Sequence, residues 1–499
     1  MKIHRDKETT QSAGGRLMFV ILLLLVVLMA ARTPLDSDVW WHLRSGQVTV
    51  ETGRPLLVDI FSYTREGQAW VNHSWLAQVI LYGLYQLAGY SGLVLWVCAL
   101  AVICLAFVFQ QMKGPAWWRA LLVILAGVAI APVWSPRPQA ASLALLAGLG
   151  WWLERWKKGD LRGIWGLPVL FLVWSNLHAG YSLGFLLLAA FLGGQVLNHL
   201  LGMEEEALPW RSLGKVLLWV GLAFLAVAIN PNGADMWRIP FQTIGISSLQ
   251  QFIPEWASPD FHDPVQQPIL LLAALLLGAV GFSGRKMKGE EWLTAAGFLV
   301  LALLSRRNIA PFAIVASPII ARHGWQAVEG WRERTRLQEK LKLPALPKNE
   351  SRPHPGINLL IVGLIALAAF SKLGVVSLPA VVQASETAIF PQGALDWMRG
   401  HPVQGRTFNE YAWGGYLIWF LPEEKVFVDG RTDLFGDEII GQWRQVIQAE
   451  EPMQEILERW MVERVVVMPD RPLAGALLQA GWVMKYQDPY SIILERPRP

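Results

Sequence analysis

Apolar residues in this chain come in long unbroken runs separated by short polar breaks, without the 3.6-residue rhythm of a surface helix or the alternation of a half-buried strand. The runs fall near residues 17–33, 92–111, 119–134, 139–154, 163–178, 182–200, 213–230, 267–284, 290–305, 308–322 and 356–374. Most approach the roughly 20 residues that carry an α-helix across a bilayer. In lipid each backbone amide must find its partner within its own helix, so such runs predict a polytopic bundle of transmembrane helices, about 11 spans, and a mainly α fold. A closed barrel requires segments of about ten residues with alternating character, a pattern this sequence does not show.

Two polar stretches are too long to be connectors. Residues 32–75 open with Asp36-Ser37-Asp38 and continue as a helix that Gly53 ends, because glycine accepts the left-handed conformation just past a helix. Residues 74–88 read as a helix with polar interruptions lying in the membrane interface ahead of the next span. Residues 230–264 carry Asn230-Pro231-Asn232-Gly233 and Glu255-Trp256. A third stretch, 326–355, is charged and Pro-rich and reads as a linker with one short amphipathic helix. Near residue 385 the pattern changes. Short β-type runs at 425–428, 464–468, 482–486 and 491–494 alternate with helical ones at 394–399, 438–448, 453–460 and 473–480. The chain therefore divides into a transmembrane domain, 1–384, and a small α/β domain, 385–499.

Composition sharpens this picture. With 53% hydrophobic and 16% charged residues the chain departs from the balance of a soluble globule. A formal net charge of +4 argues for no nucleic-acid partner. The distribution of positive charge says more. If the N-terminus is inside, inner loops collect Lys113, Arg119, Arg155, Lys157, Lys158, Arg162, Arg211, Lys215, Arg285, Lys286, Lys288 and the basic stretch 322–352, while outer loops hold far fewer. The positive-inside rule then places the long loops and the C-terminal domain outside the cytoplasm. The first run follows Lys2, Arg5, Lys7 and Arg16 as a signal peptide would, but no small-residue cleavage site follows it, so it is read as an uncleaved first span. Cys98 and Cys104 lie six apart in one apolar run, on different sides of a helix, and define no disulfide or metal cluster.

Candidate chemistry gathers around the long loops. Asp36 and Asp38 directly follow the first span, where the edge of a low-dielectric region raises a carboxylate's basicity and suits it to take a proton from a hydroxyl. Residues two apart on a helix face nearly opposite ways, so one is expected as the base and the other as cap, brace or metal ligand. Asp36 as a simple helix cap fits equally well. Trp40, Trp41 and Trp70 suit a sugar ring or an interfacial belt, and a chain with 26 tryptophans makes the belt commoner. His42 and His73 are candidates for a phosphate oxygen or ordinary interface residues. Arg137, between Pro136 and Pro138, together with Asn176 and His178 at a span end and Arg306-Arg307 at another, are polar groups that face a cavity or a partner when set beside spans. Guanidinium groups and a histidine on one side match a phosphate or diphosphate head group; the competing reading is snorkelling to lipid head groups. The chain has no GxxxxGK[ST] or strand-borne GxGxxG, and no HExxH or GxSxG, which argues against nucleotide-driven, zinc-protease and elbow-hydrolase chemistry. Asn72-His73-Ser74 and Asn349-Glu350-Ser351 match the glycosylation sequon, a pattern short enough to arise by chance.

The blocks Asp36-Ser37-Asp38-Val39-Trp40-Trp41-His42-Leu43-Arg44-Ser45-Gly46, Asp59-Ile60-Phe61-Ser62-Tyr63-Thr64 and Trp70-Val71-Asn72-His73-Ser74-Trp75-Leu76 resemble the first outer loop of bacterial membrane glycosyltransferases of the C-type (GT-C) fold. The resemblance continues through Trp174-Ser175-Asn176-Leu177-His178, Asn230-Pro231-Asn232-Gly233, Pro254-Glu255-Trp256, Arg306-Arg307-Asn308, Gly414-Gly415-Tyr416-Leu417 and Val428-Asp429-Gly430-Arg431. It implies an enzyme of the bacterial cytoplasmic (inner) membrane that moves a sugar, with inversion, from a polyprenyl-phosphate donor to a hydroxyl of a lipid, glycan or protein acceptor. In that reading Asp36 or Asp38 is the base, Arg137, His178, Arg306 and Arg307 bind the donor phosphate, and Trp40, Trp41, His42, His73, Asn176 and Glu255 contact substrate. Asp429 and Arg431, with Asp433, are the acceptor-binding candidates of the C-terminal domain, a turn ending a strand being the alternative. No cofactor is implied with certainty and a divalent metal is possible; related sequences often carry an acid after the histidine where this chain has Ser74. A transporter or flippase for lipid-linked glycans and a non-catalytic assembly subunit are the rival readings.

Overall fold

A computed structural model describes residues 13–247, 253–335 and 355–497. Residues 336–354 of the predicted linker, with Asn349, and Lys2, Arg5 and Lys7 ahead of the first run lie outside the described residues. Every predicted apolar run is helical. In chain order the helices are α1 (Ala13–Ala30), α2 (Val39–Thr52), α3 (Trp75–Gln111), α4 (Ala116–Ile130), α5 (Gln139–Trp156), α6 (Leu167–Leu177), α7 (Tyr181–Leu200), α8 (Trp210–Ala226), α9 (Ile239–Gly245), α10 (Pro268–Phe282), α11 (Gly289–Leu304), α12 (Ile309–Thr335) and α13 (Pro355–Val376). The helices over Trp75–Gln111, Ala116–Val133, Tyr181–Leu200 and Gly356–Val376 are long and apolar enough to cross a membrane, and those over Gly14–Ala30, Ile164–Leu177 and Pro268–Phe282 are shorter apolar ones. Leu359, Leu360, Leu364, Leu367 and Phe370 of α13 are exposed. A solvent-facing ridge of this kind has no place in water and suits lipid.

Local features follow the residues. Gly53 caps α2 with φ 66°. Gly89, at φ 55°, breaks α3 between its polar first part and its apolar second part, where residues 74–88 and 92–111 were expected as separate helices. The helix α12 continues past residue 322 to Thr335, through the start of the stretch read as a linker.

The C-terminal part begins with α14 (Pro379–Thr387), which crosses the expected boundary at 384, and α15 (Gln392–Gly400). A four-stranded sheet follows, β1 (Arg406–Asn409), β2 (Val462–Val467), β3 (Val483–Gln487) and β4 (Ile492–Glu495), in the order β1-β2-β4-β3. The β1/β2 pair is parallel and the others are antiparallel. Between β1 and β2 run α16 (Gly414–Phe420), α17 (Thr432–Ile447) and α18 (Met453–Arg459); α19 (Pro472–Gln479) precedes β3. Strand β1 was not foreseen, and residues 425–428, expected as a strand of this sheet, pair with the first long loop instead. Val426 N donates to Phe61 O at 3.0 Å and Tyr63 N to Val426 O at 3.1 Å, and Thr64 Oγ1 donates to Phe427 O at 2.6 Å. Trp40, Leu43, Phe61, Leu395, Tyr416 and Val466 share one apolar cluster, so α2, the first long loop and the C-terminal domain are built on a common core.

Candidate functional site

Asp36 and Asp38 precede α2 rather than belonging to it, so the opposite facing expected of helical residues does not apply. The backbone N–H of Asp38 donates to Asp36 Oδ1 at 2.9 Å, and this turn brings both carboxylates to one side. There Arg137, in the connection between α4 and α5, reaches Asp36 Oδ1 through Nε at 2.7 Å and Asp38 Oδ2 through Nη2 at 2.8 Å. Its Nη1 reaches Glu255 Oε1 of the second long loop at 2.8 Å. The guanidinium of Arg137, expected at the donor phosphate, is engaged by three carboxylates and organises them.

Burial is the largest influence on Asp38 and raises its carboxyl to about 7; Asp36 and Glu255, competing for the same guanidinium, push the same way, against Arg137 and Trp41. The side chain still keeps 19% of its surface exposed, enough for a proton acceptor to be reached. Trp41 Nε1 donates to Asp38 Oδ1 at 3.2 Å and fixes the carboxylate from the second side. Trp41 is buried and braces this carboxylate, and Trp40, with none of its surface exposed, meets Tyr90, Phe390 and Tyr416 edge-on. Neither tryptophan presents a face to a sugar or to the interface, which corrects both expectations for them.

A second group comprises Arg307 and two imidazoles. The rings of His73 and His178 stand edge to face at 5.7 Å. His178 Nδ1 accepts from Gly180 N at 3.0 Å and lies 2.9 Å from Ser142 Oγ, whose oxygen in turn accepts from Trp174 Nε1. With Nδ1 so occupied, the assigned tautomer carries its proton on Nε2, free to donate. Arg307 stacks its guanidinium 4.1 Å over the Trp256 ring. Burial works against its charge, and among the described residues no carboxylate lies within ion-pair distance of it. His42, buried beside Trp41 and Gln78, and His73 are both held below the ordinary imidazole range, chiefly by burial. The charge of Arg307 is felt at His73 and His178, and that of Arg137 at His42 and His178, so the two groups are linked electrostatically through His178.

Other candidates fall elsewhere. Arg306 turns away from Arg307, its backbone N bonded to Ala257 O at 3.0 Å and its Nε to Ser258 O at 3.4 Å, and serves to tie down the second long loop. Asn176 is fully engaged: it accepts from Trp75 Nε1 and donates to Leu172 O and Ile229 O. Asp429 and Arg431 are buried completely, with Arg431 Nη1 2.7 Å from Asp59 Oδ1 and Nη2 2.6 Å from Asp429 Oδ2. They clasp the first long loop to the C-terminal domain and cannot bind an acceptor there, which corrects that expectation. Trp70 Nε1 donates to Asp433 at 3.3 Å in the same clasp. Sequence reasoning missed Tyr411, a half-buried phenol whose electrostatic neighbours include Asp38 and whose hydroxyl bonds to Thr432 at 3.0 Å. Asn232, singled out within its motif without a role, ties Asn230 to the Asn72 carbonyl. As for a metal, no group of His, Cys, Asp or Glu among the described residues is arranged to hold one. The carboxylates that come nearest to such a set, Asp36, Asp38 and Glu255, direct oxygens at a guanidinium, and the residues present do not fit a resident ion.

No protein family's sequence profile matches the chain, and no curated protein matches it in sequence. The arrangement of helices and C-terminal domain is the GT-C fold of membrane glycosyltransferases. In particular, the chain superposes on an oligosaccharyltransferase of Archaeoglobus fulgidus with a TM-score of 0.54 at 11% identity, over 90% of this chain and 69% of that one. The same comparison with AglB of A. fulgidus in complex with an inhibitory peptide and a dolichol-phosphate gives 0.53 at 12% identity, over the same shares of 90% and 69%. With ArnT of Cupriavidus metallidurans bound to undecaprenyl phosphate the TM-score is 0.51 at 13% identity, over 96% of this chain and 98% of that one.

Proposed function

We propose that this protein transfers a sugar from a polyprenyl-phosphate donor to an acceptor hydroxyl on the non-cytoplasmic face of the bacterial inner membrane, with Asp38 as the general base. The observation that carries this reading is a basic, partly exposed carboxylate in a site that also holds Arg307, a cation with no ion-pair partner among the described residues, and the paired imidazoles of His73 and His178. Asp38 takes the proton of the acceptor hydroxyl as its oxygen forms a bond to the anomeric carbon. The bond from that carbon to the phosphate oxygen breaks on the opposite side, which inverts the configuration, and the negative lipid phosphate leaves toward Arg307, His73 and His178. Such a base supplies about 10² to 10⁴ in rate, and donors already aimed at the departing charge stabilise it without reorganisation. Neighbours of the same fold were solved with dolichol-phosphate and with undecaprenyl phosphate, lipid phosphates of the kind this site suits. Arg137 holds Asp36, Asp38 and Glu255 in register between the two long loops.

The test is transfer from radiolabelled polyprenyl-phosphate sugars by the purified protein and by Asp36→Asn and Asp38→Asn. Abolished turnover in Asp38→Asn, with donor binding retained, is expected. Parental turnover in both variants overturns the reading and favours a transporter or an assembly subunit.

A further inference from the structure

The C-terminal domain meets the proposed base through bare backbone. Its segment Val428-Asp429-Gly430-Arg431 passes directly behind Asp38. A Cβ built on Gly430 would fall well inside contact of Asp38 Oδ1 and lie 3.0 Å from Trp41 Nε1. One residue back along the loop the same happens from a second segment: a Cβ on Gly415 would lie 2.5 Å from the Ser37 carbonyl oxygen and 3.1 Å from Trp41 Cδ1. Gly414 packs the two segments together, since a Cβ there would come within 2.7 Å of the Asp429 Cα. Gly415 and Gly430 thus form a seat of bare backbone pressed against residues 37, 38 and 41, and Gly414 holds their two segments together.

The seat is anchored. Arg431, the next residue after Gly430, is locked to Asp59 and Asp429 with none of the three exposed beyond 1%. Two residues of extended pairing, Phe61 and Tyr63 with Val426, fix the same segment to the first long loop from the other end. Opening a buried guanidinium held between two buried carboxylates leaves uncompensated buried charge, so the backbone at Gly430 has little freedom to retreat from an added methyl group.

We propose that Gly430, braced by Gly414 and Gly415, is a positioning residue that sets the orientation of the Asp38 carboxylate, and that the C-terminal domain serves to build the base. The proposal rests on the reading of Asp38 as the base. A methyl group at 430 forces Oδ1 away from Trp41 Nε1 and swings Oδ2 off Arg137, while Arg307, His73 and His178 are left untouched.

The experiment compares full-length Gly430→Ala with Asp38→Asn and with Gly475→Ala, where a Cβ would meet nothing within 4 Å. Gly430→Ala is expected to lower kcat about 100-fold, the scale of a misplacement near 1 Å, with donor KM changed less than about threefold; Gly475→Ala keeps the parental rate. Inactive Asp38→Asn beside fully active Gly430→Ala overturns the positioning role alone, whereas active Asp38→Asn overturns the base reading itself. A second arm needs no turnover. If the added methyl collides with the carboxylate, the loss of melting temperature caused by Gly430→Ala shrinks by about half or more when Asp38 is Ala, because contacting sites couple. An equal loss in both backgrounds overturns the proposal. Should Gly430→Ala not accumulate, recovery of folded protein in the Gly430→Ala/Asp38→Ala double variant supports it, and failure of that variant overturns it.

Discussion

Two polar clusters stand at opposite ends of α5, and they are built from the same residue types. One begins at Arg137, two residues before the helix; the other begins at Glu154, in its last turn, roughly 25 Å away at 1.5 Å per residue. At the far end Arg322 pairs with Glu154 at 2.8 Å and with Glu291, Lys157 pairs with Glu154 at 2.7 Å, His323 meets Glu291 at 3.2 Å, and Asn198 donates to Glu290 at 2.8 Å. Glu154, Lys157, Glu290 and Glu291 border a cavity of about 50 Å³. All of them but Lys157, which caps α5, lie within helices, and their charges are spent on one another. At the near end the groups come from loops and helix ends, the carboxylates share a single guanidinium, and among the described residues Arg307 and the Nε2 of His178 have no carboxylate within ion-pair distance, Glu255 acting on Arg307 only from farther off. Residue type does not separate a brace from a reaction site here; the balance of spent and unspent donors does.

The sharpest way to break this contrast is Asp38→Asn. It should reduce kcat about 10³-fold, as for a lost general base, while the melting temperature stays level or rises, because one of three carboxylates around Arg137 has lost its charge. A variant that melts low and still turns over would make the near cluster a brace like the far one. Next in size is Arg307→Gln, expected to raise donor KM and lower kcat so that kcat/KM falls about 30-fold, in line with a lost charged hydrogen bond to phosphate. Its neighbour Arg306, bonded to Ser258 O, serves as the control, and Arg306→Gln should stay within about twofold of the parental kcat/KM.

The pH profile sharpens the comparison further. A base must be deprotonated to act, so kcat/KM should rise with pH, half-developed where Asp38 titrates, about 7, and fall about tenfold for each unit below that. For stability the sign is the reverse. Because the folded carboxyl sits above its unfolded value, this group favours folding at low pH and loses that contribution as pH rises toward about 7. Asp36 and Glu255 raise this carboxyl. Glu255→Gln removes one of those charges and should move the acid limb of the rate profile to lower pH, measured as a shifted midpoint in the transfer assay.

How far these features can be read from sequence depends on the range of the interaction. The helices were legible because an apolar run needs no distant partner to declare itself, and so was the cap at Gly53, whose cause lies within one turn. That Asp36, Asp38, His73, His178 and Arg307 lie in loops or at helix ends followed from where runs begin and end. What each polar group touches did not. Arg137 meets Asp36 across 101 positions and Glu255 across 118, and charge patterning holds no information on such pairings. Residues 425–428 carried true β character, yet the partner was residues 61–63 rather than the sheet. Asp429 and Arg431 looked like an exposed polar cluster because spacing does not disclose burial; only the fold encloses them with Asp59.

The smallest expected effect on rate belongs to Arg322→Met at the far end, and it is the converse of Asp38→Asn. Arg322 bridges Glu154 of α5 and Glu291 of α11, so its loss leaves buried carboxylates short of a cation. Breaking a buried pair by removing one partner costs about 3 to 5 kcal/mol, which should appear as a clear drop in melting temperature in detergent. The transfer rate at a temperature where the variant is folded should remain within about twofold of the parent, since α5 passes the change toward Arg137 only as a rigid rod about 25 Å long. Thermal melts and initial rates on the same preparation decide the matter. A rate falling in step with stability at that temperature would show that the two ends of α5 are coupled, and the division between a structural cluster and a reactive one would have to be abandoned.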